Sequence, residues 1–402
     1  MSWTSLSLGE VASFSQGLQV STKNQFLEKD DFCVRFIRIV DYTSDSEPPR
    51  YINVDNYEKY FVEENDIVMI RYGSQTAGKV ARGIRGVIAN NTFKIKINQP
   101  DINQNYLFHY LNQVQIYNRL NANQASSTMP AVSFGMVKNL NIPIPPLQTQ
   151  KRIADILSAY DDLIENNLKR IKLLEQAAQN IYKEWFVNLR FPGHENTPIN
   201  EETGLPVGWE VCTINDVCEK VASGGTPSRR NKSYWDNPKY PWVTTKELRD
   251  GFILDVKESV SEEGLKNSSA KLFPKGTILM AIYASPTLGR LGILSREACC
   301  NQAAVGFICN NTKISNQFLY YTLYSERANL NAIAIGAAQQ NINVGKVKAH
   351  EIILPPFHFV ERFTSITSSN YEMRLNLVTQ NQKLKAARDI LLPRLMNRTI
   401  EV

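Results

Sequence analysis

What this sequence lacks narrows its class first. No apolar run approaches the eighteen residues of a membrane helix, and the N-terminal MSWTSLSLGE has no basic segment leading into an apolar one. We therefore expect no membrane span and no secretory leader, and a cytoplasmic location. The six cysteines (Cys33, Cys212, Cys218, Cys299, Cys300, Cys309) include no C-x-x-C pair, and there are only four histidines. That argues against a zinc site or a disulfide framework and for buried free thiols. Acidic residues are missing from two stretches. Between Ile67 and Ala154 the sole acid is Asp101, against ten Lys or Arg, and from Leu265 to Lys346 eight bases meet only Glu297 and Glu326. The net charge of +6 thus hides two basic regions, the footprint of a polyanion such as nucleic acid.

Catalytic signatures are missing too. No G-x-x-x-x-G-K-[ST] loop is present to hold ATP phosphates. An amino-methyltransferase would place Asn or Asp before Pro-Pro and an aromatic residue; here Leu354 precedes Pro355, Pro356 and Phe357. A metal-dependent nuclease needs clustered carboxylates, and Asp101 is followed by no acid until Asp155. We expect a non-enzyme whose chemistry belongs to partners.

What is present is length, helix and repetition. The 402 residues, 43% of them apolar, suit two or three domains. Leu147 to Asn188 contains neither Pro nor Gly, so an unbroken helix there would run roughly 60 Å at about 1.5 Å per residue. Ile153, Leu157, Tyr160, Ile164, Ile171, Leu174, Ala178, Ile181 and Trp185 follow the three-four spacing of a coiled-coil seam, with Asn167 at an apolar position. A buried Asn in such a seam fixes register; the alternative is a frayed, wet site.

The halves also match at an offset of 210 or 211. Tyr72 meets Tyr283, Gly78 meets Gly289, Lys79 meets Arg290 and Asn90 meets Asn301. Further on, Gly135, Val137 and Lys138 meet Gly345, Val347 and Lys348, then Pro145-Pro146 meet Pro355-Pro356 and Arg152 meets Arg362. Asp66–Ile70 and Thr277–Ile282 read as strands, as does Asn91–Ile97, while Tyr106–Leu120 and Phe318–Leu330 read as short helices. A second rod spans Phe359 to Leu392, with Phe363, Ile366, Met373, Leu377, Leu384, Ala387 and Leu391 in its seam, interruptions at Asn370 and Gln380, and Pro393 as its stop. The expected fold is α+β: two mixed α/β domains in repeat, separated by two long antiparallel coiled-coil helices. The boundaries are 1–146 for the first domain, 147–192 for the central helix, 193–356 for connector and second domain, and 357–402 for the distal helix.

The string PPLQTQKRIADILSAYDDLIENNLKRIKLLEQAAQNIYKEWFVNLRFPGHE, the connector LPVGWEV, the GGTPSR at Gly224 to Arg229 and the terminal ILLPRLMNRTIEV resemble the specificity subunit of type I restriction-modification systems. The resemblance covers essentially the whole chain. It implies two target-recognition domains, each reading one half of a bipartite DNA site, held on helices that set the spacer. It also implies assembly with double-stranded DNA, two modification methyltransferase subunits and ATP-driven restriction subunits. The chain itself would need no cofactor; the partners would use S-adenosylmethionine, ATP and Mg. A free-standing two-domain repressor or architectural protein is the rival reading.

Because the domains differ in sequence, the half-sites should differ. Base edges are read by paired donors and acceptors and phosphates by Lys and Arg. In the first domain the candidates are Lys23, Asn24, Arg71, Ser74, Gln75, Lys79 and Arg82, with Gly73 and Gly78 permitting close approach of backbone to DNA. In the second they are Thr226, Ser228, Arg229, Arg230, Lys232, Thr245, Lys246, Tyr283, Ser285 and Arg290, with Gln339, Gln340 and Asn341 weaker. Trp235 and Trp242 suit a core better than a stacking surface. Tyr182, Trp185 and Phe186 form an aromatic group that either anchors a partner subunit or caps the seam.

Overall fold

The computed structural model describes residues 3–44, 47–122, 130–283, 287–334 and 341–402. The chain forms two compact units, Met1–Ile164 with Lys383–Val402, and Glu165–Gln382. Both long helices therefore contribute to both units.

In the first unit a four-stranded antiparallel sheet has the order Ala12–Gln16, Thr92–Ile97, Ile67–Ile70, Val80–Arg82. A second runs Arg50–Ile52, Val34–Ile37, Gly86–Ile88, Phe61–Val62, with its central pair parallel. Strand Ile67–Ile70 is buried along its whole length, as a central strand covered on both faces must be. The second unit repeats this order with Cys218–Ser223, Ala304–Cys309, Ile278–Ala281 and Leu291–Leu294, then with Glu258–Val260, Tyr240–Val243, Ala298–Cys300 and Leu272–Phe273. It adds one strand of its own, Gly251–Ile253, parallel to Leu291–Leu294.

Local chemistry repeats with the topology. Asn103 and Ser315 cap helices Gln104–Leu111 and Asn316–Ser325 by accepting the N–H of Tyr106 and Phe318 at 2.9 and 3.0 Å. Ser133 and Asn343 do the same for Phe134–Lys138 and Val344–Lys348. The stretches Tyr106–Leu120 and Phe318–Leu330, read as short helices, are each two: Gln104–Leu111 and Val114–Asn121, parted where the chain turns extended at Gln113, and Asn316–Ser325 and Arg327–Ala332, parted at Glu326. The offset between halves also grows to 212 in one region. The N–H of Ala89 bonds the Ile37 carbonyl at 2.8 Å as Asn301 bonds Val243 at 2.9 Å, so Asn301 falls opposite Ala89 rather than Asn90.

Each domain begins and ends on one short ribbon. Thr4–Ser7 pairs antiparallel with Asn141–Ile144, and Glu210–Thr213 with Glu351–Leu354. A Pro-Pro pair then leads into a long helix, Leu147–Tyr182 in the first copy and Phe357–Met396 in the second. The first closes in a π-turn at Lys183–Val187. The second passes through Pro393 instead of stopping there: the lost N–H lies in the last turn, and Leu392, Leu395 and Met396 are buried against the first unit's core with Leu8, Phe93, Tyr106, Ile153 and Leu157. Each such side chain is worth about 1.5–3 kcal/mol of burial, ample to hold one turn around a proline.

The helices run antiparallel within each unit. Asp161 pairs with Arg388 at 2.5 Å in the first; in the second, Asn167 donates to Asn381 at 2.9 Å and Glu175 pairs with Arg374. Asn167 is buried, so it is a seam residue with a partner and not a frayed site. The distal seam departs from its apolar pattern. Thr367, Arg374 and Asn381 are buried where Ile366 and Met373 had been expected, and those two are 45% and 41% exposed. Each of these three side chains has a partner: Thr367 bonds Gln317, Asn381 accepts from Asn167, and Arg374 bonds the Tyr321 hydroxyl at 3.1 Å as well as Glu175, while its Nε has no partner among the described residues. Cys33, Cys299, Cys300 and Cys309 are buried free thiols, whereas Cys212 and Cys218 are half-buried.

Candidate nucleic-acid interface

In the first domain the loop Arg71–Lys79 joins strands Ile67–Ile70 and Val80–Arg82. Ser74, Gln75 and Lys79 are exposed on it, and Arg71 is half-buried, its guanidinium 4.9 Å from the Tyr72 ring and 5.9 Å from Phe134. The two glycines are required by the loop's own backbone. Gly73 and Gly78 take φ of 115° and 85°, and a Cβ at Gly73 would lie 2.2 Å from Thr76 Oγ1. Lys23 and Asn24 lie on another loop, in the exposed turn Thr22–Asn24.

Arg82 is tied into its own domain. Its Nη2 donates to Asn105 Oδ1 at 2.8 Å, its guanidinium sits 3.8 Å from the centre of the Phe108 ring, and burial lowers its pKa. It braces helix Gln104–Leu111 and is half-buried, engaged within its own domain rather than exposed as Ser74, Gln75 and Lys79 are.

The second domain gathers its candidates more tightly. Arg229 makes two hydrogen bonds to Glu258, at 2.6 and 2.7 Å, and stacks 3.7 Å from the Trp235 ring centre. That pairing raises the Arg229 pKa and lowers that of Glu258. Trp242 is buried edge-on to Trp235, its Nε1 donating to the Gly225 carbonyl at 3.0 Å; Trp235 is half-buried. Both indoles are thus engaged within the domain. A groove of about 310 Å³ is lined by Trp242, Thr245, Lys246, Lys257, Glu258 and Asn301. Thr226 donates to Gln302, and Ser228, Arg230 and Lys232 are exposed on the same loop.

Tyr283 and Arg290 belong to another loop, between strands Ile278–Ala281 and Leu291–Leu294; Tyr283 is 40% exposed and bridges to Asn341 as Tyr72 bridges to Ala131. Arg290 is half-buried. Ser285, Gln339 and Gln340 lie outside the described residues. The sequence reading missed Glu258, Lys257 and Gln302. Glu258 and Gln302 have their partners 29 and 76 residues away in sequence, in Arg229 and Thr226, and Lys257 joins them only through the groove, so no local spacing marks them.

The aromatic group at the end of the first helix is not an exposed anchor. Tyr182 and Phe186 are 7% and 5% exposed, packed on Phe318 and Phe363, with the Tyr182 hydroxyl 3.0 Å from Thr322. These rings cap the seam in their own unit's core. Trp185 alone keeps a half-exposed face, with Arg362 6.0 Å from its ring centre.

Among the described residues no group of three or more His, Cys, Asp and Glu could hold a metal ion. Ser158, His109 and Asp161 stand in the order of a hydrolytic triad, with Ser158 Oγ 3.1 Å from His109 Nε2 and Asp161 3.8 Å from Nδ1. His109 is 2% exposed, however, and burial holds its pKa at about 4, so it is a neutral packing residue seating helix Gln104–Leu111 on the first long helix. No helix is long and apolar enough to cross a membrane among the described residues.

The architecture defines a class: one α/β module followed by a long helix, used twice, with basic and polar loops at the sheet ends of each copy. The profile of the type I restriction modification DNA specificity domain matches residues 2–176 and 206–359, one copy per repeat, and the chain belongs to that family. The MjaIX specificity subunit of Methanocaldococcus jannaschii is 28% identical over 330 residues, covering 79% of this chain and 74% of that one. The HindI specificity subunit of Haemophilus influenzae is 26% identical over 375 residues, covering 77% and 80%. The crystal structure of the type I restriction-modification S subunit from M. genitalium covers 98% of this chain and 96% of its own, with a TM-score of 0.57 at 15% identity, a likeness of fold.

Proposed function

We propose that the chain is the DNA-specificity subunit of a type I restriction-modification complex, each domain reading one half of an asymmetric bipartite site while the paired helices set the spacer. The observation that carries this is the coincidence of the family match with the structural repeat: the profile falls once on each α/β copy, and the two copies carry different loop side chains. Two different readers suit two different half-sites. The exposed bases Lys79, Arg230, Lys232 and Lys246 serve phosphate contacts, while Gln75 carries the paired donor and acceptor, and Arg229 the paired donors, that base edges require. The partners are two modification methyltransferase subunits and the restriction subunits, which bring S-adenosylmethionine, ATP and Mg; this chain supplies address and assembly. A free-standing repressor has no comparable support, since the relatives are named as specificity subunits.

The test is reconstitution. The purified chain with S-adenosylmethionine, ATP and Mg should neither methylate nor cut DNA, and adding the partner methyltransferase should give adenine methylation at an asymmetric two-part motif. Methylation or cleavage by the chain alone, free of other subunits, overturns the assignment.

A further inference from the structure

Three polar pairs at facing positions bridge the long helices, Asp161 with Arg388 in the first unit and Asn167 with Asn381 and Glu175 with Arg374 in the second, beside a longer contact from Arg170 to Met373 Sδ at 3.8 Å. The residue numbers of each pair add to 548 or 549, so one antiparallel register holds in both units. The helices are themselves copies at an offset of 210. Pro145-Pro146 and Arg152 match Pro355-Pro356 and Arg362, and buried Ile153, Leu157 and Ile164 match buried Phe363, Thr367 and Arg374. Two copies of one helix always have an alternative arrangement, in which each pairs with its own counterpart from a second chain.

That alternative can be read by moving each partner through the repeat offset. A first helix facing another first helix would set Asn167 against Ile171, Glu175 against Ile164 and Asp161 against Ala178. A second helix facing another second helix would set Asn381 against Leu377, Arg374 against Lys385 and Arg388 against Tyr371. All three polar pairs are lost. Asn167 and Asn381, each 5% exposed, would bury an amide against an apolar side chain, and Arg374, 3% exposed, would lose its carboxylate and gain a second cation. Within the chain, the same register sets Ile171 opposite Leu377, apolar against apolar. No polar pair has a polar counterpart at the position related by the repeat.

We propose that this off-centre placement of polar pairs, with Asn167, Asn381 and Arg374 buried, is a selectivity device: the seam of the first long helix accepts the second long helix of the same chain and rejects a second copy of itself. Matched amides specify partner and register in coiled coils because a mismatch leaves hydrogen-bonding groups buried and unpaired. The effect here is that two unlike domains share one helix pair, and two like domains do not. This goes beyond the DNA-reading role and does not depend on it.

The test uses the full chain, with Asn167→Ile/Asn381→Leu and with the same pair plus Glu175→Leu/Arg374→Met. These changes keep the intrachain seam apolar and remove the penalty on like-with-like pairing. Two preparations carrying donor and acceptor fluorophores are unfolded together, refolded at rising concentration, and followed by energy transfer and sedimentation, with circular dichroism reporting folding. Wild type should give one species without transfer between chains, and the four-residue variant a concentration-dependent dimer with transfer. The two-residue variant carries the test if the other does not fold. Asn167→Ile alone should lower the melting midpoint, and adding Asn381→Leu should restore it. A folded variant that exchanges no more than wild type, or a wild type that exchanges freely, overturns the proposal.

Discussion

At the scale of single residues, Arg229 is the side chain proposed above to read a base edge, and its surroundings bear on that role. Its fork is filled by Glu258 and its plane lies on Trp235, yet the two side chains are 50% and 42% exposed. An ion pair so exposed is worth roughly 0–1 kcal/mol, so releasing the guanidinium toward DNA is inexpensive. Arg229→Ala in the assembled methyltransferase should therefore cost about 1–3 kcal/mol at one base pair of one half-site. Arg230→Ala should instead weaken all sequences alike and flatten the log-log salt slope by about 0.9. Competition binding against single-base site variants over a salt series separates the two, and unchanged binding removes either residue from the interface. His109 gives a pH prediction. Its pKa falls from 6.5 unfolded to about 4 folded, chiefly by burial, so the unfolded state binds the proton first. Stability is complete above pH 6.5 and falls as pH drops toward 4, by roughly 2 kcal/mol at pH 5. Hydrogen exchange in helix Gln104–Leu111 should accelerate accordingly between pH 7 and pH 5 after correction for intrinsic rates. The same acceleration in His109→Gln would assign the effect elsewhere.

At the scale of elements, the buried Glu175–Arg374 pair has a sharp signature. Arg374 is 3% exposed, and burial brings its pKa down to about 10. Glu175→Ala strands that cation and should cost about 3–5 kcal/mol in denaturant unfolding, whereas Glu175→Leu with Arg374→Met should come within about 1 kcal/mol of wild type or exceed it. Equal losses in the two variants would mean that volume, not charge, is what the seam needs. This pair also shows what the sequence conveyed. The first helix was legible because Ile153, Leu157 and Ile164 are apolar and spaced for one face. The second announced its length and, at Phe363 and Leu377, part of its face, but Thr367, Arg374 and Asn381 turn inward because Gln317, Tyr321, Glu175 and Asn167 await them, and those partners come from other elements. The loops behaved alike. Arg71 to Lys79 was recognisable from its flanking strands, but nothing near Arg82 in sequence signals Asn105 and Phe108, and nothing near Arg229 signals Glu258. Periodicity reports what a stretch does alone, and side chains satisfied by distant partners lie beyond it.

For the whole molecule, the helices act as a ruler in the proposed function. Inserting four residues into each, near Asn167 and near Leu377, lengthens both by about 6 Å. With about 3.4 Å per base-pair step, the methylated motif in cells carrying this protein should keep both half-site sequences and gain one or two spacer pairs. Altered half-site bases, or an unchanged spacer in an active complex, would show that the helices are not the ruler. The short ribbons at the domain roots have a different consequence. Strand Thr4–Ser7 lies beside Asn141–Ile144, and Glu210–Thr213 beside Glu351–Leu354, so the polypeptide enters and leaves each domain through one doorway. Everything between the two ribbon strands is a closed excursion, and a foreign excursion grafted onto the same strands meets no new gap to close. A reading head can thus be exchanged whole, with a change of address and no rebuilding of the frame that carries it.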